Sequence, residues 1–157
     1  MSDAAVFDTL ARALRELHRT LMERAKREFE RVTLTTLSPG ELLELLTTSQ
    51  EFAWLRELSE LMADIDVVRD STSDAAAAME AIWPAVEHLL ATPDADTPFA
   101  KRYWAYVHDE PDVAIAHASV RKALGAFPPH GGAGTPADRR RDLAARALEL
   151  GRRKPRA

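Results

Sequence analysis

Gln50-Glu51-Phe52-Ala53-Trp54-Leu55-Arg56-Glu57-Leu58-Ser59-Glu60-Leu61-Met62-Ala63-Asp64-Ile65-Asp66-Val67-Val68-Arg69 is the stretch on which the fold turns. Its apolar residues form two overlapping stripes at helical spacing. Phe52, Leu55, Met62 and Ile65 make one, with the small Ser59 between them. Trp54, Leu58, Leu61, Ile65 and Val68 make the other. Recurrence at three and four residues is the mark of a helix, and an apolar face this wide must be covered from more than one side. The segment therefore predicts a central helix, and the rest of the chain must supply its cover.

Upstream, Asp3 to Val32 reads as one long helix. Phe7, Leu10, Leu14, Leu17, Leu21, Ala25 and Phe29 run down one side, and the pairs Arg19–Glu23, Glu23–Arg27 and Lys26–Glu30 lace the other. The β-branched, threonine-rich run Thr33 to Leu37 should stop it. Ser38-Pro39-Gly40-Glu41 then starts a short helix, with Ser38 as cap, Pro39 at the first position and Glu41 closing a capping box. That helix should end near Thr47. Its Leu42-Leu43-Glu44-Leu45-Leu46 matches a Leu-x-x-Leu-Leu partner-helix pattern, but such strings arise in any leucine-rich helix, so core packing is the expectation.

Downstream, Ser73 to Ala91 is a helix burying Met79, Ile82, Trp83, Val86 and Leu90. Pro84 should kink or split it near Glu80, because proline brings no N–H to the ladder. Phe99 to His108 and Pro111 to Leu124 follow as two more helices, with Gly125 as a C-cap candidate. Phe127 to Gly134 then has the proline and glycine density of a linker. Beyond it, Pro136 to Gly151 is a basic amphipathic helix using Leu143, Ala147 and Leu150, expected to stand alone and to be marginal by itself. The predicted fold is all-α: a helical bundle of four to six helices over residues 1–125, with a disordered Pro/Gly-rich linker and basic tail over 126–157.

Composition narrows the chemistry. A chain of 157 residues with 46% hydrophobic content can build one core without staples. The absence of cysteine removes disulfides, thiolate metal sites and cysteine nucleophiles together. No apolar run approaches a membrane span, and Met1 to Asp8 lacks the pattern of a secretory signal, so the cytoplasm is the expected compartment. Arginine outnumbers lysine 17 to 4, a bias associated with bacteria of high GC content. The net charge of −4 conceals an asymmetry, since residues 138–157 hold eight Lys/Arg against three Asp/Glu, leaving the body at −9.

Di-metal bundle enzymes need Glu three residues before His on two helices, and none of the five histidines has it. No glycine-rich phosphate loop or nucleophile elbow occurs either. Hence no catalytic residue, metal or cofactor is assigned. The nearest approach to a site is the corner of His108, Asp112 and His117, although Asp109-Glu110-Pro111-Asp112 is explained as a turn and helix cap. Tyr103 and Trp104 join His108 and His117 as candidate ligand-binding residues, because adjacent rings on a helix cannot both point fully inward. With Trp54, Trp83 and Phe99 they are otherwise plain core. Arg139, Arg140, Arg141, Arg152, Arg153 and Lys154 are candidate phosphate contacts in the tail. A solvated tail is preferred to a nucleic-acid interface, given the acidic body.

Ser38-Pro39-Gly40-Glu41-Leu42-Leu43, together with Phe52 to Ser59, resembles a segment of short bacterial all-helical proteins of no established activity. Leu17-His18, Glu23-Arg24 and Pro111-Asp112-Val113 through His117 resemble the same pattern, over roughly residues 14–124. The resemblance implies a helical fold and no activity. The leading reading is a non-enzymatic interaction protein, a bacterial regulator or adaptor, working through the Phe99–Val107 face and the tail. Its partner would be another protein or a second copy in a homodimer, with no membrane. A metal- or small-ligand-binding protein using the histidine corner, and weak nucleic-acid binding through the tail, are the alternatives.

Overall fold

The structure is a computed structural model and describes residues 2–71, 73–91, 96–126 and 136–153. Among them are seven α-helices, one 3-10 helix and no strand. The helices are α1 (Asp3–Thr33), α2 (Pro39–Thr48), α3 (Arg56–Ser71), α4 (Ala75–Leu90), α5 (Pro98–Asp109), α6 (Pro111–Gly125) and α7 (Pro136–Arg153). The 3-10 helix, Gln50–Leu55, leads directly into α3. The count exceeds the expected four to six because α7 joins the six helices that precede it.

The cover demanded by the Gln50–Arg69 stretch is present. Phe52, Trp54, Leu55, Leu58, Leu61, Ile65 and Val68 are all buried in one core with Leu10, Leu14, Leu17 and Leu21 of α1. Met79, Ile82, Val86 and Leu90 of α4, Phe99 and Tyr103 of α5, and Val113, Val120 and Leu124 of α6 complete it. The stretch is not one α-helix, however. Its first six residues wind more tightly, and Ser49 caps them by accepting from the Glu51 N–H at 3.2 Å. The tighter turn brings Phe52 beside Phe29 of α1, with ring centroids 5.6 Å apart.

Helix ends follow local chemistry. Ser38 Oγ accepts from the Glu41 N–H at 3.2 Å, and Glu41 Oε2 accepts from the Ser38 N–H at 2.8 Å, the reciprocal box read from the sequence. α1 stops where Leu34 enters the left-handed region at φ 56°. Gly125 is simply the last residue of α6, and Ala126 is its C-cap, in a right-handed conformation. Pro84 lies inside α4 without splitting it.

α1 lies mainly along α6, and α3 contacts α4. His18 Nε2 and Ser59 Oγ, 2.8 Å apart, tie α1 to α3. The helix expected to stand alone does not: α7 packs across α3 and α4 and buries Leu143 and Ala147. Its stripe was legible, but a stripe does not name the surface that receives it. Residues 127–135 and 154–157, with His130, lie outside the described residues.

Candidate functional site

The aromatic candidates converge from two helices. α5 begins at Thr97, whose Oγ1 accepts from the Ala100 N–H at 3.1 Å, with Pro98 preset for the first turn. From that start, Phe99 and Tyr103 fall one turn apart and point inward, their rings stacked at 5.2 Å. Tyr103 is fully buried and Trp104 half-buried, as adjacency on a helix requires. The Tyr103 hydroxyl lies 2.5 Å from His117 Nδ1 of α6, and the Trp104 ring stands edge-on to His117 at 5.1 Å.

Burial pushes the Tyr103 phenol above its ordinary range. Burial also pulls His117 down, helped by the Arg121 charge. A phenol kept protonated and an imidazole kept neutral share one hydrogen bond between Oη and Nδ1, whose direction the imidazole tautomer sets. That bond satisfies a hydroxyl deep in the core and joins α5 to α6. Trp104 Nε1 is buried beside it without a hydrogen-bond partner among the described residues.

His108 does not join this group. It is exposed near the end of α5, and Asp112 faces α1 instead. Arg24 Nε and Nη2 each reach Asp112 Oδ2 at 2.9 Å, while Nη1 reaches Glu110 at 2.9 Å. Partial burial works against the Asp112 carboxylate, but the Arg24 hydrogen bonds and the Val113 N–H outweigh it and hold its pKa below the usual range. The His108/Asp112/His117 corner is thus dispersed by an ion-pair network anchoring the start of α6 to α1. Among the described residues no group of three His, Asp or Glu is placed to hold a metal.

The Phe99–Val107 face is not a free surface either. Phe99 and Tyr103 belong to the core, and Trp104 and Val107 pack against it. In the tail, Arg140 is committed inward to Asp64 of α3 at 2.7 Å, and Arg141 is exposed, 3.7 Å from Asp138. The side chains of Arg139, Arg152 and Arg153, and all of Lys154, lie outside the described residues.

Two further features lie apart from these candidate residues. The first is α2, which has no buried residue: Leu42, Leu45 and Leu46 are half-buried and Leu43 is 64% exposed. Leu42, Leu45 and Leu46 pack against the core as expected, and Leu43 alone of the four turns outward. The second is a cleft of about 420 Å³ between α1 and α5, lined by Arg24, Arg27, Arg31, Arg102 and Tyr106 with Glu28, Asp109 and Glu110. A smaller recess of about 140 Å³ adjoins it, sharing Glu28, Arg102 and Tyr106 and walled by Phe29 and Trp54. A third cleft, about 260 Å³, lies beside α7 at His88 and Arg140. None of the three is lined by Tyr103, Trp104, His108 or His117.

No known family, curated protein or solved structure matches this chain. What it does must be argued from these features alone. No helix among the described residues is long and apolar enough to cross a membrane.

Proposed function

We propose that this chain is a non-enzymatic interaction protein that pairs with a second copy of itself through the elbow between α1 and α2. The observation that carries the reading is the state of α2. A helix of ten residues is marginal in water unless a face is covered; here Leu42, Leu45 and Leu46 lean half-buried on the core while Leu43 stands 64% exposed. Its ends are held by polar contacts as well. The Ser38–Glu41 box fixes the start, and Arg56 donates to the Leu46 and Ser49 carbonyls at 3.2 and 2.8 Å near the finish. The helix is thereby set in place with Leu43 left uncovered.

The neighbouring turn exposes apolar residues as well. Of the five large apolar residues exposed among the described residues, Val32 (68%), Leu34 (91%) and Leu43 (64%) all belong to this elbow. Isolated exposed leucines are ordinary, whereas a cluster marks an interaction surface. A two-fold axis is the simplest way to cover it, since an isologous contact sets each patch against its own copy. The ionisable groups of the buried Tyr103–His117 pair are bonded to each other and line none of the clefts, which favours binding over catalysis.

Sedimentation over a concentration series tests the pairing. The account expects a monomer–dimer equilibrium, shifted to monomer by Leu43→Glu. Leu34→Gly is the cleaner variant, because it relieves a left-handed residue and removes an exposed side chain. It should fold at least as stably and associate more weakly. A wild-type chain monomeric at every concentration, or variants that associate as it does, would refute the proposal.

A further inference from the structure

We infer that the cleft between the second half of α1 and α5 binds a small phosphorylated molecule, independently of any pairing at the elbow. The inference rests on which charges in the cleft are already used. Glu28 accepts from the Tyr106 hydroxyl and lies 3.8 Å from Arg102, and Glu110 is held by Arg24 at 2.9 Å. Arg27 and Arg31 line the same cleft, are exposed, and form no ion pair among the described residues. The Glu23 that the sequence offers to Arg27 is turned to Arg19 at 2.8 Å.

Two unpaired arginines one helical turn apart, their Cβ atoms roughly 6 Å from each other, carry like charges that repel. An outside anion bridging them relieves the repulsion. The guanidinium fork matches phosphate oxygens in pairs, which makes phosphate the fitting anion. Arg24 and Arg102 add charge from behind, although both are already shared with acids. Tyr106 is kept in place by its bond to Glu28 and by stacking on Trp54 at 5.7 Å, so the wall opposite the arginines is firm.

The rest of the cleft describes the rest of the ligand. Asp109 also lines it with no ion pair among the described residues, and a carboxylate there accepts from a hydroxyl or amine. The adjoining recess, walled by Phe29 and Trp54, takes a flat or apolar part. A volume of about 420 Å³ lies within the range of small-molecule sites. The class is therefore a phosphate ester carrying hydroxyl or amine donors.

Calorimetric titration of the full chain with pyrophosphate, at constant ionic strength, tests the site. One saturable site is expected, with binding weakened about tenfold by Arg27→Gln or Arg31→Gln and lost in the double variant. Both side chains are exposed, so the melting curves of the variants should stay close to wild type. No saturable binding, or binding that survives in the double variant, would overturn the assignment. Recruitment to vesicles containing anionic lipid without a response to free pyrophosphate would also overturn it, since the ligand would then be a membrane surface. A loss of pyrophosphate binding in Leu43→Glu would contradict the independence of this site from the elbow.

Discussion

Replacing Leu143 by alanine tests the least expected contact in the fold, the seating of α7 on α3 and α4. Leu143 is 1% exposed, and with Ala147 it is one of only two buried residues described on that helix. Removing a fully buried leucine forfeits its transfer free energy and adds a cavity term, together about 2–5 kcal/mol. α7 packs from one side only, so it can settle into part of the gap, and the lower end, about 2–3 kcal/mol, is expected. Urea unfolding reads this directly. With a slope of about 2 kcal/mol per M, the midpoint should fall by about 1 M. Leu148→Ala supplies the control, because Leu148 is on the same helix but 58% exposed and should cost no more than about 0.5 kcal/mol. Equal effects from the two substitutions, or none from either, would refute the packing of α7.

Three further outcomes follow from named contacts. Burial holds the His18 pKa below the usual imidazole range, and burial together with the Arg121 charge does the same for His117, so the unfolded chain protonates first on acidification. Their contribution is complete above the unfolded pKa and lost as pH falls from there through the lowered folded pKa, so the melting temperature should start to drop below about pH 6.5; a His18→Gln/His117→Gln variant should show a flatter slope, and an unchanged slope would implicate other groups. Trp83 Nε1 donates to the Leu124 carbonyl at 3.0 Å, and Trp83→Phe should cost about 1 kcal/mol in urea unfolding, with faster amide exchange at the end of α6. Arg24→Gln should lower the urea midpoint by freeing Glu110 and Asp112, and the difference from wild type should shrink at high salt; a salt-independent loss would point to packing of the arginine stem instead.

Much of this fold is legible in local chemistry. The Ser38 box, the stop after Thr33 and the proline starts of α5 and α6 are set by residues adjacent in sequence. The apolar stripes of Gln50–Arg69 identify a much-covered segment, although the tight winding of its first turn depends on the place that Phe29 offers Phe52. What does not read from the sequence is partnership across the fold. Leu143 and Ala147 announce a face without naming α3 and α4 as its seat. Asp112 beside His108 suggests a ligand corner until Arg24, far off in sequence, claims it. Arg27 looks paired with Glu23 by spacing alone, and its freedom appears only when Glu23 turns to Arg19. Tyr103 and His117 do come together as their candidacy implied, but in a closed joint. Leu43 of α2 carries the reverse lesson, because within a leucine string that otherwise packs on the core it is left on the surface.

The pairing at the elbow is the central claim, and amide exchange measured across protein concentration tests it most directly. The account predicts that α2 and the turn at Leu34 become protected as concentration rises, while α1 upstream of Ala25 and the body of α3 keep the same protection throughout. Protection of α2 that does not change with concentration, or a change centred on Ile115 of α6 or Leu148 of α7, would contradict it.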